Sequence, residues 1–370
     1  MGNWWQVGHR TVTARVIEGA TIPGRQRRSY EDTVFVAAPS ADGKLMATGS
    51  SSGYARVFEV STGREVSRIL HQAKVSAVAF SPNGKLVATG SWDNTVWVFE
   101  AATGREVRRI VVANYGVESN YVLEVAFSPD SRLIATHCMD RTTRVFEVAT
   151  GREMWHVLFS GIPWAIAFSP NGVLLATGSL DYPPQVFDIA TGRRVARFPS
   201  EVFAAVVAFS PNGKLLATGT LDQTARVFEI TTGREVERLA HNDWVFGVAF
   251  SHDGDFLATQ TGDWLHAYRR DGERWRHAGS RYVPSIWPKT LRSSPQGNCP
   301  RCVEFVRDVP EDPLKLERIN LDDHSKPIRR DSHDLVGKWS TKLGLTFDTR
   351  GRITPLQVGA IPFASLKKEK

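Results

Sequence analysis

Two kinds of position in this 370-residue sequence carry side chains able to do chemistry. The first is a local cluster, Cys299-Pro300-Arg301-Cys302, followed by Asp322-Asp323, His324 and His333. Two cysteines separated by two residues can offer adjacent thiolates to one metal ion, and two imidazoles can complete a tetrahedron. The pattern therefore raises a zinc module, or a small metal-dependent nuclease built on Cys299, Cys302 and His324. Against both, the pair has no second CxxC, and eight residues separate His324 from His333, where roughly three to five are usual. A redox dithiol would want a βαβ setting, which the flanking sequence lacks. No metal or cofactor is expected, and no catalytic residue is assigned.

The second kind recurs. His71, Thr89 and Asp93 return as His241, Thr259 and Asp263, while Asp140, Asp181 and Asp222 stand at the place of Asp93 in further copies. A polar group repeated at a fixed interval supports a repeated framework; a reaction centre needs it only once. The framework shows best from Ala208 to Arg238, AFSPNGKLLATGTLDQTARVFEITTGREVER. Nearly the same string begins at Ala79, Ala126, Ala167 and Ala249, with a looser copy near Ala38. Its turn glycine falls at Gly43, Gly84, Gly172, Gly213 and Gly254, with Ser131 in the same place. The period is thus 41 residues, with one interval of 47. Self-similarity at roughly 40–45 residues points to a radial β architecture.

Within the period, Val206 to Phe209 and Leu215 to Thr218 are short apolar runs joined by Ser210-Pro211-Asn212-Gly213, a turn whose Pro and Asn-Gly supply the dihedrals. Leu221-Asp222-Gln223 turns the chain again, Thr224 to Ile230 reads as a third strand, and Thr232-Gly233 leads into a fourth from Glu235 to Leu239. The inner strands are apolar on both faces, as suits a sheet covered on both sides. Each run is too short for a helix and is stopped by Gly or Pro.

These strings resemble the WD-repeat β-propeller family. The resemblance covers about 33 to 278 as six repeats, with 1–32 a partial blade and 279–370 degenerate blades and an irregular insertion. It implies an all-β propeller of four-stranded blades and a hydrogen-bonded set of His, Ser or Thr, Asp and Trp in each. Here the family's Trp is replaced by Phe58, Phe99, Phe146, Phe187 and Phe228. Phenylalanine has no N–H, so the set at Phe99 is expected to shrink to a contact between His71 and Asp93. The family's work implies a scaffold or adaptor for a protein or peptide. A kinase or ATPase activity would have to reside elsewhere, because no phosphate-binding glycine loop is present.

In the family the turns between second and third strands share one face with the segments leading into the first strands. Carried onto this sequence, that face holds Trp92, Met139, Leu180 and Leu221, each just before a turn Asp, together with Phe35, Tyr121, Trp164, Phe203, Trp244 and Phe246. Either these side chains pack inward as core or they form an apolar docking patch. The four turn residues favour the patch, since a tight turn has little interior to enter. The opposite face, with its Thr-Gly-Arg turns, is expected to be solvated.

The net charge of +7 and pI near 9.4 permit attraction to nucleic acid, but each Arg of a Thr-Gly-Arg turn usually has a Glu beside it, which argues against a continuous basic groove. Three cysteines and no early leader pattern point to the cytoplasm, and no apolar run is long enough to span a membrane.

Ring closure is the remaining question. Thr13 to Glu18 repeats the third-strand string at Thr224, so its blade needs first and second strands from the C-terminal region. Leu345 to Gln357 and the turn Ser294-Pro295-Gln296-Gly297 are the two candidates. One makes seven blades and both make eight; seven is favoured, closed by strands from both termini.

Overall fold

The computed structural model describes residues 34–112, 121–179, 181–198, 204–272, 274–282, 291–293, 301–309, 312–320, 346–347 and 353–354. The chain divides into two compact units, Met1–Asp322 and Asp323–Lys370.

The first unit contains six four-stranded antiparallel sheets, each built from four consecutive strands. Sheet one is β1 (Val34–Pro39), β2 (Leu45–Ser50), β3 (Tyr54–Glu59) and β4 (Glu65–Leu70). Sheet two is β5 (Val75–Phe80), β6 (Leu86–Ser91), β7 (Thr95–Glu100) and β8 (Glu106–Val111). Sheet three is β9 (Val122–Phe127), β10 (Leu133–Cys138), β11 (Thr142–Glu147) and β12 (Glu153–Leu158). Sheet four is β13 (Pro163–Phe168), β14 (Leu174–Ser179), β15 (Gln185–Asp188) and β16 (Arg194–Arg197). Sheet five is β17 (Ala204–Phe209), β18 (Leu215–Thr220), β19 (Thr224–Glu229) and β20 (Glu235–Ala240). Sheet six is β21 (Gly247–Phe250), β22 (Phe256–Thr261), β23 (Trp264–Asp271) and β24 (Arg274–Tyr282). The strands expected from the repeat at Ala208 are those of sheet five, shifted by no more than two residues at any end.

The first turn is fixed by one buried serine per sheet. Ser81 Oγ donates to Asn83 Oδ1 at 2.7 Å and accepts from Leu86 N at 2.9 Å, and Ser210, Asn212 and Leu215 repeat the arrangement at 2.8 and 2.9 Å. The turn ends on a left-handed residue, which is glycine except at Ser131, where φ is 63°.

Burial falls from the inside of each sheet outward. All six residues of β18 are buried, whereas β12 alternates half-buried and exposed along its length. First strands of successive sheets lie against one another, from β1 on β5 through β17 on β21. The approach is close: a Cβ added at Gly219 would stand 2.7 Å from Val245 Cγ1 of the next sheet, and one at Gly90 would collide with Val122. This explains the Ala-Thr-Gly string of the second strands in packing terms.

After sheet six comes a three-stranded sheet of β25 (Arg292–Ser293), β26 (Cys302–Val309) and β27 (Asp312–Asn320). Strand β25 contacts β21, and β26 contacts β1. Arg292 donates to the carbonyls of Pro39 at 2.9 Å and Ser40 at 2.8 Å, and Arg301 Nε lies 3.2 Å from Asp253 Oδ2. In the second unit β28 (Thr346–Phe347) pairs with β29 (Ile353–Thr354), a hairpin at the place where Leu345 to Gln357 suggested one. Thr13 to Glu18, the Ser294–Gly297 turn and the insertion at 114–120 lie outside the described residues. Among the described residues, no sheet combines strands from both ends of the chain.

Candidate functional site

Antiparallel pairing brings the turn between second and third strands to the end of the sheet where the first strand begins: Val75 is paired with Ser91. In sheet two this turn is organised by Asp93. One carboxylate oxygen, Oδ1, accepts from Thr95 N at 3.0 Å and from Thr95 Oγ1 at 2.5 Å; the other, Oδ2, takes Gln72 N at 2.9 Å and His71 Nδ1 at 3.0 Å. A carboxylate only accepts, so Nδ1 carries the proton and Nε2 accepts from Thr89 Oγ1 at 2.8 Å. The set therefore keeps three of its four members, against the expectation of a bare His71–Asp93 contact. Phe99 drops out and is fully buried. Burial opposes ionisation of Asp93 most strongly, but the His71 and Thr95 bonds outweigh it and hold the carboxyl below its usual range.

Elsewhere the turn aspartate finds another cation. In sheet three the fully buried guanidinium of Arg144 bonds the equally buried Asp140 carboxylate. In sheet five Arg226 Nη2 lies 2.7 Å from Asp222 Oδ2. The arginine stands four residues after the aspartate, where sheet two has Trp97. Sequence reading missed this substitution, although the Asp-x-x-x-Arg spacing was its signal. In sheet four Asp181 is exposed and accepts from Ile162 N at 3.0 Å. In sheet six Thr259 Oγ1 lies 3.2 Å from His241 Nε2, as the repeat implies, and Asp263 is half-buried in its turn. His137 was also missed: it sits where the second strands of sheets one, two, four and five have glycine, and its Nε2 reaches Ala165 O of the next sheet at 2.7 Å.

The aromatic residues assigned to this end come together only in part. Trp92 stacks on Tyr121 with ring centroids 4.5 Å apart and planes 15° apart. Lys74 Nζ stands 3.3 Å from the Phe35 ring centroid and 4.7 Å from that of Trp92. Residues of sheets one, two and three thus make one continuous platform with a cation in it, and burial lowers the pKa of that lysine. Trp244 meets Phe246 edge-on at 6.0 Å. Met139, Trp164 and Leu221 are half-buried, as are all the aromatic residues just named; Leu180 and Phe203 lie outside the described residues. Trp264 and Tyr282, 46% and 47% exposed with rings 5.4 Å apart, were not anticipated, because Trp264 occupies the turn position held by Thr95 in sheet two.

At the other end the polar turns are self-contained. Thr62, Thr103, Thr150 and Thr232 are exposed and donate to Glu59, Glu100, Glu147 and Glu229 at 2.6–2.7 Å. Among the described residues, no group of three or more His, Cys, Asp or Glu is placed to hold a metal ion. Cys302 opens β26, whereas Cys299, His324 and His333 lie outside the described residues.

The sequence model of the family described as WD domain, G-beta repeat, matches residues 64–100, 111–147, 156–182, 199–229 and 233–264. The chain belongs to the WD-repeat family. Segment 64–100 runs from β4 to β7, so this matched repeat is offset by one strand from the sheets and links neighbours covalently. Sheet one receives only its outer strand from the matched WD segments, and the three-stranded sheet lies beyond them. No curated protein matches the chain. WD-repeat propellers generally act as protein-interaction scaffolds and are typically non-catalytic.

Proposed function

We propose that this WD-repeat chain is a scaffold that captures a protein or peptide on the end bearing Trp92, Met139 and Leu221. The observation that carries the reading is the Trp92–Tyr121 stack with Lys74 between Trp92 and Phe35. Large aromatic groups half-buried at strand ends, beside a partly desolvated cation, are what interaction hot spots are made of. The opposite end, where threonine hydroxyls and glutamates satisfy one another, offers a partner far less. Trp244, Phe246 and Trp164 extend the same surface around the remaining sheets.

The test is Trp92→Ser combined with Leu221→Ser, followed by thermal melting and affinity capture from a cell extract. Loss of capture by a variant that melts as the parent supports the site. Unchanged capture by that folded variant removes it, and loss of folding returns both side chains to the core.

We further propose that seven blades close the ring, with the three-stranded sheet as the seventh. The two bonds from Arg292 to the carbonyls of Pro39 and Ser40 support this seam.

A further inference from the structure

The fourth sheet departs from its neighbours at one place. Where sheets two, three and five run Asp-x-Thr into the third strand, it reads Asp181-Tyr182-Pro183-Pro184. Proline has no N–H to give to a ladder, so pairing with the outer strand starts only at Gln185, opposite Arg197. Strands β15 and β16 keep four residues each, where sheet two has six. The missing pairs leave space on the flank between sheets three and four, a cavity of about 370 Å³.

Its lining is not generic surface. Tyr182 is driven inward and stacks on Phe159, just after β12, with centroids 4.7 Å apart and planes 1° apart; Phe187 meets Phe159 edge-on at 6.0 Å. The Tyr182 hydroxyl is buried without a hydrogen-bond partner, and its side chain is only 6% exposed. Such an orphan costs stability unless something fills the space beside it. Two guanidinium groups project from β16 over the opening. Arg194 is braced by Gln185 Oε1 at 3.2 Å, while Arg197 has no bond or ion pair among the described residues. No carboxylate lines the cavity, and the neighbouring Asp181 is held by Ile162 N.

We propose that this cavity binds a carboxylate carried on one ring-sized apolar body. The ring lies against Phe159 and Phe187, the carboxylate bridges Arg194 and Arg197, and Tyr182 is the polar group within. The volume is near the low end of the roughly 300–1,000 Å³ of ligand sites, which leaves room for one ring and its anion. Paired guanidinium groups match a carboxylate through charge-assisted, potentially bidentate bonds. A free aromatic acid and the C-terminal aromatic residue of a peptide present the same chemistry.

Calorimetric titration of the full chain decides it, using N-acetylphenylalanine, its uncharged amide, and a hexapeptide ending in phenylalanine with a free carboxylate. The acid is expected to bind at least about tenfold more tightly than the amide. Arg197→Gln, at an exposed position, should bring the acid down to the level of the amide without changing the melting temperature, and Tyr182→Phe should weaken the acid a few-fold. Binding of both acid and peptide assigns the site to a peptide terminus, and binding of the acid alone assigns it to a free organic acid. Equal affinity for acid and amide, no heat from either, or undiminished acid binding by Arg197→Gln overturns the proposal.

Discussion

The Asp93 carboxylate accepts from His71 Nδ1 at 3.0 Å, tying a turn between two strands to the segment that leads into the first strand of the same sheet. It is a contact across 22 residues of chain and is almost wholly buried at both partners. Asp93→Ala leaves His71 and the Gln72 amide without their acceptor and is expected to cost about 1–3 kcal/mol in urea unfolding. The pH dependence has a definite sign. The folded-state pKa of Asp93 is depressed, so its contribution is complete above roughly pH 4 and is lost as pH falls toward the folded value. The acid limb of the stability curve should therefore shrink in the Ala variant; an unaltered acid limb would show that Asp93 does not carry it.

The same turn position should respond differently in sheets three and five. Asp140 and Arg144 are both fully buried, whereas the Asp222 side chain is 31% exposed beside Arg226. Asp140→Ala strands a guanidinium away from water and is expected to cost about 3–5 kcal/mol. Asp222→Ala leaves Arg226 near solvent and should cost about 1 kcal/mol or less. Equal losses in paired unfolding curves would mean that burial does not set the cost of removing the acid.

Much of this was legible in the sequence because the repeat is regular where packing demands it. Ala208 to Arg238 fixes four strands through its turn residues and apolar runs, and sheet five follows that reading closely. The His71, Thr89 and Asp93 set was legible for the same reason. What escaped was substitution across space. Arg144 and Arg226 replace a histidine that would come from the segment leading into the first strand, and although the Asp-x-x-x-Arg spacing is local, the exchange shows only once the two cations are seen to reach the same turn aspartate. The platform was half legible: Trp92 and Tyr121 stand out by type, but Lys74 joins them only because sheets one and two bring Phe35 to it. The flank cavity follows from Pro183-Pro184, yet part of its lining, Phe159 included, comes from the neighbouring sheet.

Sheet six provides a second pH effect, at milder acidity. His241 is grouped with His266, His277 and Tyr268, with ring centroids of His241 and His266 4.8 Å apart. Burial, then the charges of His266 and His277, push the His241 pKa down to about 4. The unfolded chain holds this proton from roughly pH 6.5 downward, so stability falls as pH drops from there toward 4. His241→Asn removes the titrating group and should flatten that part of the curve, read as melting temperature against pH. A slope equal to that of the parent between those values would place the sensitivity elsewhere.

The seam at Arg292 makes the last prediction. One guanidinium serves two successive carbonyls, Pro39 and Ser40, at the end of β1, and the strand after it, β26, touches that same first sheet. A planar fork with fixed donor directions suits two acceptors held side by side, while an ammonium is a compact point charge on a flexible stem. If this contact closes the ring, Arg292→Ala should free the edge of sheet one, and Arg292→Lys should recover only part of the loss. The measurement is hydrogen exchange of the β1 and β2 amides, compared with those of sheet four far from the seam. Faster exchange confined to sheet one and the three-stranded sheet, graded from Arg to Lys to Ala, is the expected result. Uniform protection in all three proteins would mean that closure is made by other segments, and the mixed blade built from Thr13 to Glu18 would then be the alternative to pursue.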